Sequence, residues 1–388
     1  LPALQFSFNA LGGTQLKDPV AMATLAEPAL QFNTVPLTSP ISADARTGVL
    51  ANPGFGTSFS EHMVTIEWTE GRGWHDATLG PRQPISLDPA AAVLHYAQEI
   101  FEGLKAYRHP DGSIALFRPY ENAARFNRSA ERLAMPTLPE EVFVESVRRL
   151  VAADRDWLPS VEGGSLYLRP FMFASEVFLG VRPAKEYKYV VIASPAGNYF
   201  KSGAPAVSIW VSEGYTRAAP GGTGAAKCGG NYAASLVPQA EAIEKGHDQV
   251  VFLDAVENKW VEELGGMNLY FVFDDGTLVT PPLSGTILAG ITRDSLLTLA
   301  RDEGLTVREE RYSIDQWRAD AQSGKLVECF ACGTAAVVTP VGKVASRSGE
   351  FAIGTGGPGQ LTGKLKNRLV AIQRGEAPDP HGWVMKLD

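Results

Sequence analysis

One stretch of the 388-residue chain, Gly221-Gly-Thr-Gly-Ala-Ala-Lys227-Cys-Gly-Gly-Asn-Tyr232, places a single long cation among residues with almost no side chain. Small neighbours let a flat ligand approach the backbone. A lysine held among small or apolar groups loses the hydration that favours its charged form, which frees the amine to attack a carbonyl and form a Schiff base. Lys227 is therefore a candidate carbonyl-binding amine. Composition leaves a second reading open, a Gly-rich surface turn carrying a solvated lysine.

Other chemistries find no footing. A phosphate cradle of the Walker type needs Gly-Lys-Ser/Thr, whereas Ala226 precedes Lys227 and Cys228 follows it. Gly363-Lys364 fails too, with Pro358 in place of the first glycine and Leu365 in place of the hydroxyl. No Gly-x-Gly-x-x-Gly stands between a strand and a helix with an acidic residue ~20 positions on. The histidines His62, His75, His95, His109, His247 and His381 are dispersed, and none forms His-Glu-x-x-His. Cys329-Phe-Ala-Cys332 has no second pair to complete a zinc site. Strand alternation puts those two thiols on opposite faces, so they read as structural.

Lys plus Arg number 35 against 43 Asp plus Glu, a net charge of −8, without a run of five like charges. General nucleic-acid binding lacks its electrostatic footprint. The apolar stretches fall far short of the ~18 residues of a membrane span. Three cysteines are too few for a disulfide framework and suit a reducing compartment. The first arginine is Arg46 and no basic segment precedes an apolar one at the start, so a cytoplasmic location is expected.

The elements that must position Lys227 divide the chain in two. The opening ~60 residues, rich in Pro, Gly, Thr and Ser, read as an extended arm wrapping a body. An α+β unit follows, with a strand from Met63, a short helix and strand within 93–107, and strands at 165–173 and 187–194. Its amphipathic helices at 121–133 and 139–157 cover the sheet. A boundary is expected at about residue 203, giving domains 1–203 and 204–388. The second, α/β half reads as strand 207–213, the Gly-rich loop, helix 232–244, strands 249–254 and 269–273, and an Asp275-Gly276 hairpin turn into 278–280. A helix after Ile291, strand 306–312, a helix capped by Ser313 with Gln316, and strand 327–332 complete it.

Lys227-Cys-Gly-Gly-Asn-Tyr232, Glu263-Leu-Gly-Gly-Met-Asn268-Leu-Tyr270, Thr280-Pro-Pro-Leu, Leu288-Ala-Gly-Ile-Thr-Arg293 and Cys332-Gly-Thr-Ala-Ala, in this order and spacing, resemble the class IV pyridoxal-phosphate aminotransferases. More narrowly, His95-Tyr-Ala-Gln-Glu-Ile-Phe-Glu-Gly-Leu-Lys-Ala-Tyr107, Phe117-Arg-Pro-Tyr, Leu166-Tyr-Leu-Arg-Pro170 and Pro195-Ala-Gly-Asn-Tyr-Phe200 resemble the larger branched-chain amino-acid aminotransferases. The resemblance spans roughly residues 30 to 388. Other class IV chemistries, D-amino-acid transamination or a lyase acting on aminodeoxychorismate, occur in usually shorter chains without the arm and the Leu166–Pro170 segment.

The resemblance implies a two-domain fold type IV enzyme, an α+β domain and a larger barrel-like α/β domain, with pyridoxal 5′-phosphate in the cleft between them. It implies a Schiff base between Lys227 and the cofactor, with Lys227 also the acid/base of the proton shift. Glu263 then faces the pyridine nitrogen. Adjacent Glu262 reads as a surface charge. Arg125, Thr334 and the amides of Ile291 and Thr292 hold the phosphate, Arg217 lies close to it, and Tyr232 bonds the ring hydroxyl. Substrate positions are Tyr96, Phe101, Tyr167, Arg169, Tyr199 and Ala335, with Arg169 and Tyr96 available for a second carboxylate. The implied reaction is reversible ping-pong transfer of the amino group of L-leucine, L-isoleucine or L-valine to 2-oxoglutarate, by a homodimer in which the partner's loop around 95–101 helps to close the site. Ala336 and Thr339 replace the Cys-x-x-Cys of animal members, so that redox switch is expected to be absent. Gly266 replaces their threonine.

Overall fold

The computed structural model describes residues 30–197 and 206–387. Two nine-stranded sheets carry the molecule. In the first, strands run in the order Asn33–Thr34, Gly73–Pro81, His62–Thr69, Glu186–Ala196, Ser165–Ala174, Leu104–Arg108, Ile114–Phe117 and Val384–Lys386, with Glu99–Phe101 paired on Ser165–Ala174. The last of these returns from the C-terminal end of the chain to pair with Ile114–Phe117.

Alternation sets what this sheet buries. Val64 and Ile66 on one strand and Tyr189 and Val191 on its neighbour face two helices, Pro119–Arg132 and Glu140–Ala153, which offer Phe126, Ala130, Phe143, Val147 and Leu150. Pro119 at the first helical turn costs no hydrogen bond there. Phe126, Phe143 and Tyr189 meet ring to ring at 5.5–6.1 Å. Within the arm, Leu30, Phe32, Ile41, Val49 and Leu50 pack on this core, as a wrapping segment should. The arm is not wholly extended: Ser42 accepts a hydrogen bond from the Ala45 N–H and starts a helix, Ala43–Ala51, that buries no residue.

The second sheet closes on itself. Val261–Leu264, Gln249–Leu253, Val207–Ser212, Val337–Ser346, Leu326–Gly333 and Asn268–Phe273 follow one another, and Glu263 pairs back with Asn268. This is the expected barrel-like arrangement. Leu269, Phe271 and Cys329 face one core with Trp317, whereas Tyr270, Phe330 and Cys332 face another with the helices Ile291–Asp302 and Gln360–Gln373. All three cysteines are free and buried, and the pair at 329 and 332 lies on opposite faces as alternation requires. That second core also takes in Tyr107 and Phe117 from the first sheet, so the two halves share buried surface.

The expected helix over 232–244 is two pieces, Gly229–Ala233 and Leu236–Glu244, and the strand expected over 306–312 shrinks to Val307–Glu309. The capping box at Ser313 forms with both of its hydrogen bonds. Among the described residues no helix is long and apolar enough to cross a membrane.

Candidate active site

A cleft of ≈ 190 Å³ lies where the two sheets meet, and it contains Lys227. The backbone of this lysine is held by the first sheet and a helix that covers it: its N–H donates to Ser129 Oγ at 2.9 Å, and its carbonyl accepts the Phe101 N–H at 2.9 Å. Two residues on, the Gly229 N–H donates to the Glu99 carboxylate, which burial raises above its ordinary pKa. The side chain crosses the cleft floor. Its Nζ donates to Tyr232 Oη at 2.7 Å and stands 4.7 Å from the centre of the Phe101 ring.

Glu263 lies on the strand that closes the barrel. Its Oε1 accepts the Leu288 N–H at 3.0 Å and lies 2.8 Å from Arg217 Nη1 in an ion pair, while Oε2 accepts Asn268 Nδ2 at 3.1 Å. Burial pushes the carboxyl up, to about 7, against the opposing pull of Arg217. A carboxyl fixed at three points and titrating near neutrality suits a shared proton with a ring nitrogen.

A second set of groups in the same cleft is built for an anion. Gly290 precedes the Ile291–Asp302 helix without any side-chain cap, so the first-turn N–H groups of Ile291 and Thr292 stay open. A Cβ at Gly290 would run into Asn268 Oδ1. Arg125 lies alongside, with Nη1 donating to the Ala289 carbonyl at 3.1 Å, and Thr334 joins from the hairpin after Leu326–Gly333. Arg125 is aimed by Glu102, whose two carboxylate oxygens accept Nε at 2.7 Å and Nη2 at 2.9 Å. Burial opposes ionisation of Glu102, yet the Arg125 guanidinium holds its carboxyl below the usual value.

The remaining wall is aromatic and faces Ala335. Phe101, Tyr167 and Arg169 line it, with Arg169 Nη2 donating to Tyr167 Oη at 3.1 Å and its guanidinium over the Phe101 ring at 4.8 Å. Arg169 Nε is buried and, among the described residues, has no hydrogen-bond partner. Phe55 of the arm completes this wall, edge-on to Tyr167 at 5.0 Å.

The cleft thus gathers Lys227, Tyr232, Glu263, Arg125, Ile291, Thr292, Thr334, Phe101, Tyr167, Arg169 and Ala335. Three expectations fall elsewhere. Arg217, expected close to the phosphate, is buried and does not line the cleft, because the interior carboxyl of Glu263 needs a cation and pairs with it at 2.8 Å. Glu262 is accordingly not a surface charge: it is buried and accepts the Thr286 hydroxyl at 2.5 Å. Tyr96 ends a short helix before the left-handed Ala97, stands 41% exposed and does not line the cleft. Tyr199 lies outside the described residues. Sequence reasoning gave no role to Asn268, Glu102, Ser129 or Phe55. The first two stood inside the motifs quoted for the family, beside the residues they orient.

The donor set fits pyridoxal 5′-phosphate: an amine for its carbonyl, a carboxyl for its ring nitrogen, and open amides with a guanidinium for its phosphate. Residues 99–344 match the family described as amino-transferase class IV. The probable branched-chain-amino-acid aminotransferase of Streptomyces coelicolor is 61% identical over 353 residues, 91% of this chain and 97% of that protein. The crystal structure of the Escherichia coli branched-chain amino acid aminotransferase superposes with a TM-score of 0.71 at 28% identity, covering 85% of this chain and 100% of that one. The T.th. branched-chain amino acid aminotransferase with pyridoxamine 5′-phosphate gives 0.68 at 30% identity, covering 83% and 98%, and the same enzyme is known complexed with N-(5′-phosphopyridoxyl)-L-glutamate. The chain belongs to the class IV aminotransferases and, within them, to the branched-chain-amino-acid aminotransferase family, whose cofactor is pyridoxal 5′-phosphate.

Proposed function

We propose that the chain transfers the amino group of L-leucine, L-isoleucine or L-valine reversibly to 2-oxoglutarate, in two half-reactions at one cleft. The observation that carries this reading is the cleft itself, where the Lys227 amine, the Glu263 carboxyl and the open helix start at Ile291 share a floor under an aromatic wall. When bound, pyridoxal phosphate supplies the electron sink that makes a carbon-bound proton mobile. Lys227 holds and moves that proton at Nζ, with Tyr232 Oη at 2.7 Å keeping the amine in place. Glu263, oriented by Asn268 and Leu288, holds the proton at the ring nitrogen. Arg125 and the amides of Ile291 and Thr292 bind the phosphate.

Phe55, Phe101 and Tyr167 exclude water and favour an aliphatic side chain, whose burial is worth roughly 1.5–3 kcal/mol. The Arg169 guanidinium in the cleft wall, its Nε without a partner among the described residues, supports recognition of a carboxylate there, which the second substrate pair, glutamate and 2-oxoglutarate, requires. The glutamate conjugate bound by the T.th. relative supports the same pair.

A homodimer is part of this reading. Leu94, Tyr96, Val177, Leu179 and Val181 are exposed, Val181 at 93%, on two segments bridged at Ala91 and Val177. Covering that apolar ground with a second copy gives Tyr96 a route to a partner's cleft. We take the two sheets as two domains divided at about residue 203, with the C-terminal strand returning to the first, and the cytoplasm as the location.

The test is the near-ultraviolet and visible absorbance of the purified holoenzyme. A cofactor band lost on adding L-leucine and restored by 2-oxoglutarate is expected, and Lys227→Ala is expected to lose both responses and transamination. Normal turnover by Lys227→Ala would remove the mechanism, and a band indifferent to leucine would remove the substrate class.

A further inference from the structure

Glu99 opens the short strand Glu99–Phe101, whose last residue lines the cleft. Register pairs Glu99 with Phe173 and Phe101 with Phe171 on the Ser165–Ala174 strand. Directly paired residues share a face of a sheet, and so do positions two apart along a strand. Glu99 therefore stands on the same face as Phe101, Tyr167 and Arg169, the face that supplies the aromatic wall of the cleft.

Two opposite charges thus share one face. Oε1 of Glu99 accepts the Gly229 N–H, and a Cβ at Gly229 would collide with that oxygen. Arg169 donates to Tyr167 Oη at 3.1 Å and lies over the Phe101 and Tyr167 rings at 4.8 and 5.4 Å. Among the described residues neither side chain stands in a salt bridge. Burial raises the Glu99 carboxyl above its ordinary pKa, and the Gly229 N–H and the charge of Arg169 pull against that rise. The two charges therefore act on each other without contact. The cleft, read as above, brings an aliphatic side chain and a second carboxylate to this wall in turn. A guanidinium facing an alkyl chain must be offset by the protein, whereas one facing a carboxylate is offset by the ligand.

We propose that Glu99 is a specificity-determining residue, whose negative charge offsets Arg169 in the shared wall and so balances the cleft between its aliphatic and its dicarboxylate substrates. With an aliphatic chain bound, Glu99 supplies the counter-charge that the ligand lacks. With a second carboxylate bound, it repels that group and takes back part of what Arg169 gains. The inference rests on the reading of the cleft as the place where both substrates bind.

The experiment compares the wild-type holoenzyme with Glu99→Gln and Glu99→Leu at about pH 8.5, well above the usual carboxylate range. It follows the second-order rate at which the cofactor band is lost with L-leucine and with L-glutamate. Gln keeps an oxygen for the Gly229 N–H and drops the charge, whereas Leu drops both. The ratio of the two rates is taken within one preparation, so a smaller active fraction cancels. Glu99→Gln is expected to raise the glutamate-to-leucine ratio about 3- to 10-fold, the range of one charge acting across a partly solvated wall, mainly through a lower KM for glutamate. Glu99→Leu is expected to show the same raised ratio on top of a slowing of both substrates, because the Gly229 N–H loses its acceptor. A ratio in Glu99→Gln within about twofold of wild type, or one shifted toward leucine, would overturn the proposal. A wild type whose band responds to neither amino acid would instead overturn the reading of the cleft, and this inference with it.

Discussion

Arg217 and Glu263 permit a test in which the pH dependence carries the answer. Their contact is 2.8 Å and both are buried, so at an effective dielectric near 20 the attraction is on the order of 4–6 kcal/mol. Glu263 titrates from an ordinary 4.5 in the unfolded chain to about 7 in the folded one. Folded wild type therefore loses stability from this group as pH rises from 4.5 to about 7, and no more beyond. Without the guanidinium the carboxyl titrates ~3 units higher, and the loss continues upward. Between about pH 7 and about pH 9 the wild type loses nothing further from Glu263, whereas Arg217→Met loses roughly 2 × 1.36, or about 3 kcal/mol. The bonds from Arg217 to the Thr286 and Gly224 carbonyls are lost equally at both pH values and cancel. Glu262, also raised by burial and also drawn down by Arg217, adds in the same direction. The assay is urea unfolding of cofactor-free protein at one fixed concentration. Arg217→Met is expected to cost about 3 kcal/mol more at the higher pH, and Glu263→Gln in the same background to remove most of that difference. An equal cost at both pH values, or a larger one at the lower, would refute the pairing as described.

At the anion end, Gly290→Ala forces its Cβ against Asn268 Oδ1 and to 3.2 Å from Arg293 Cβ. About tenfold weaker retention of pyridoxal phosphate is expected by equilibrium titration, and unchanged retention would show that the close approach has no role. Ser313→Ala removes a capping box that is not among the cleft walls and is expected to lower stability by about 1 kcal/mol in urea while leaving turnover with leucine as in wild type.

The site was legible where its chemistry is local. Lys227 announced itself through the absence of side chains around it, and the helix start at Ile291 through Gly290 and the apolar spacing after it. What escaped were contacts made at long range. Lys105 reaches a carbonyl 230 residues away, and neither end carries a local signal of the bond. Glu262 was misplaced because adjacent positions on a strand point to opposite faces, and on the strand that closes the barrel both faces are interior. The helix Ala43–Ala51 lacks the apolar stripe that periodicity needs, since it buries no residue, although its Ser42 cap was there to be read. Tyr96 is a different kind of case: its motif matches the family, and in a single chain it is exposed, so one copy alone does not test its place.

The backbone bonds that Lys227 makes to Phe101 and Ser129 have a mechanical meaning. The loop bearing the amine leads into one sheet, yet its root is tied to the other, and Tyr107 and Phe117 weld the same junction from below. Parting the sheets like jaws would break the two bonds that anchor the backbone of the reacting group. The amine is thereby anchored to both halves of the chain at once, and Phe55 brings the arm to the same cleft, edge-on to Tyr167.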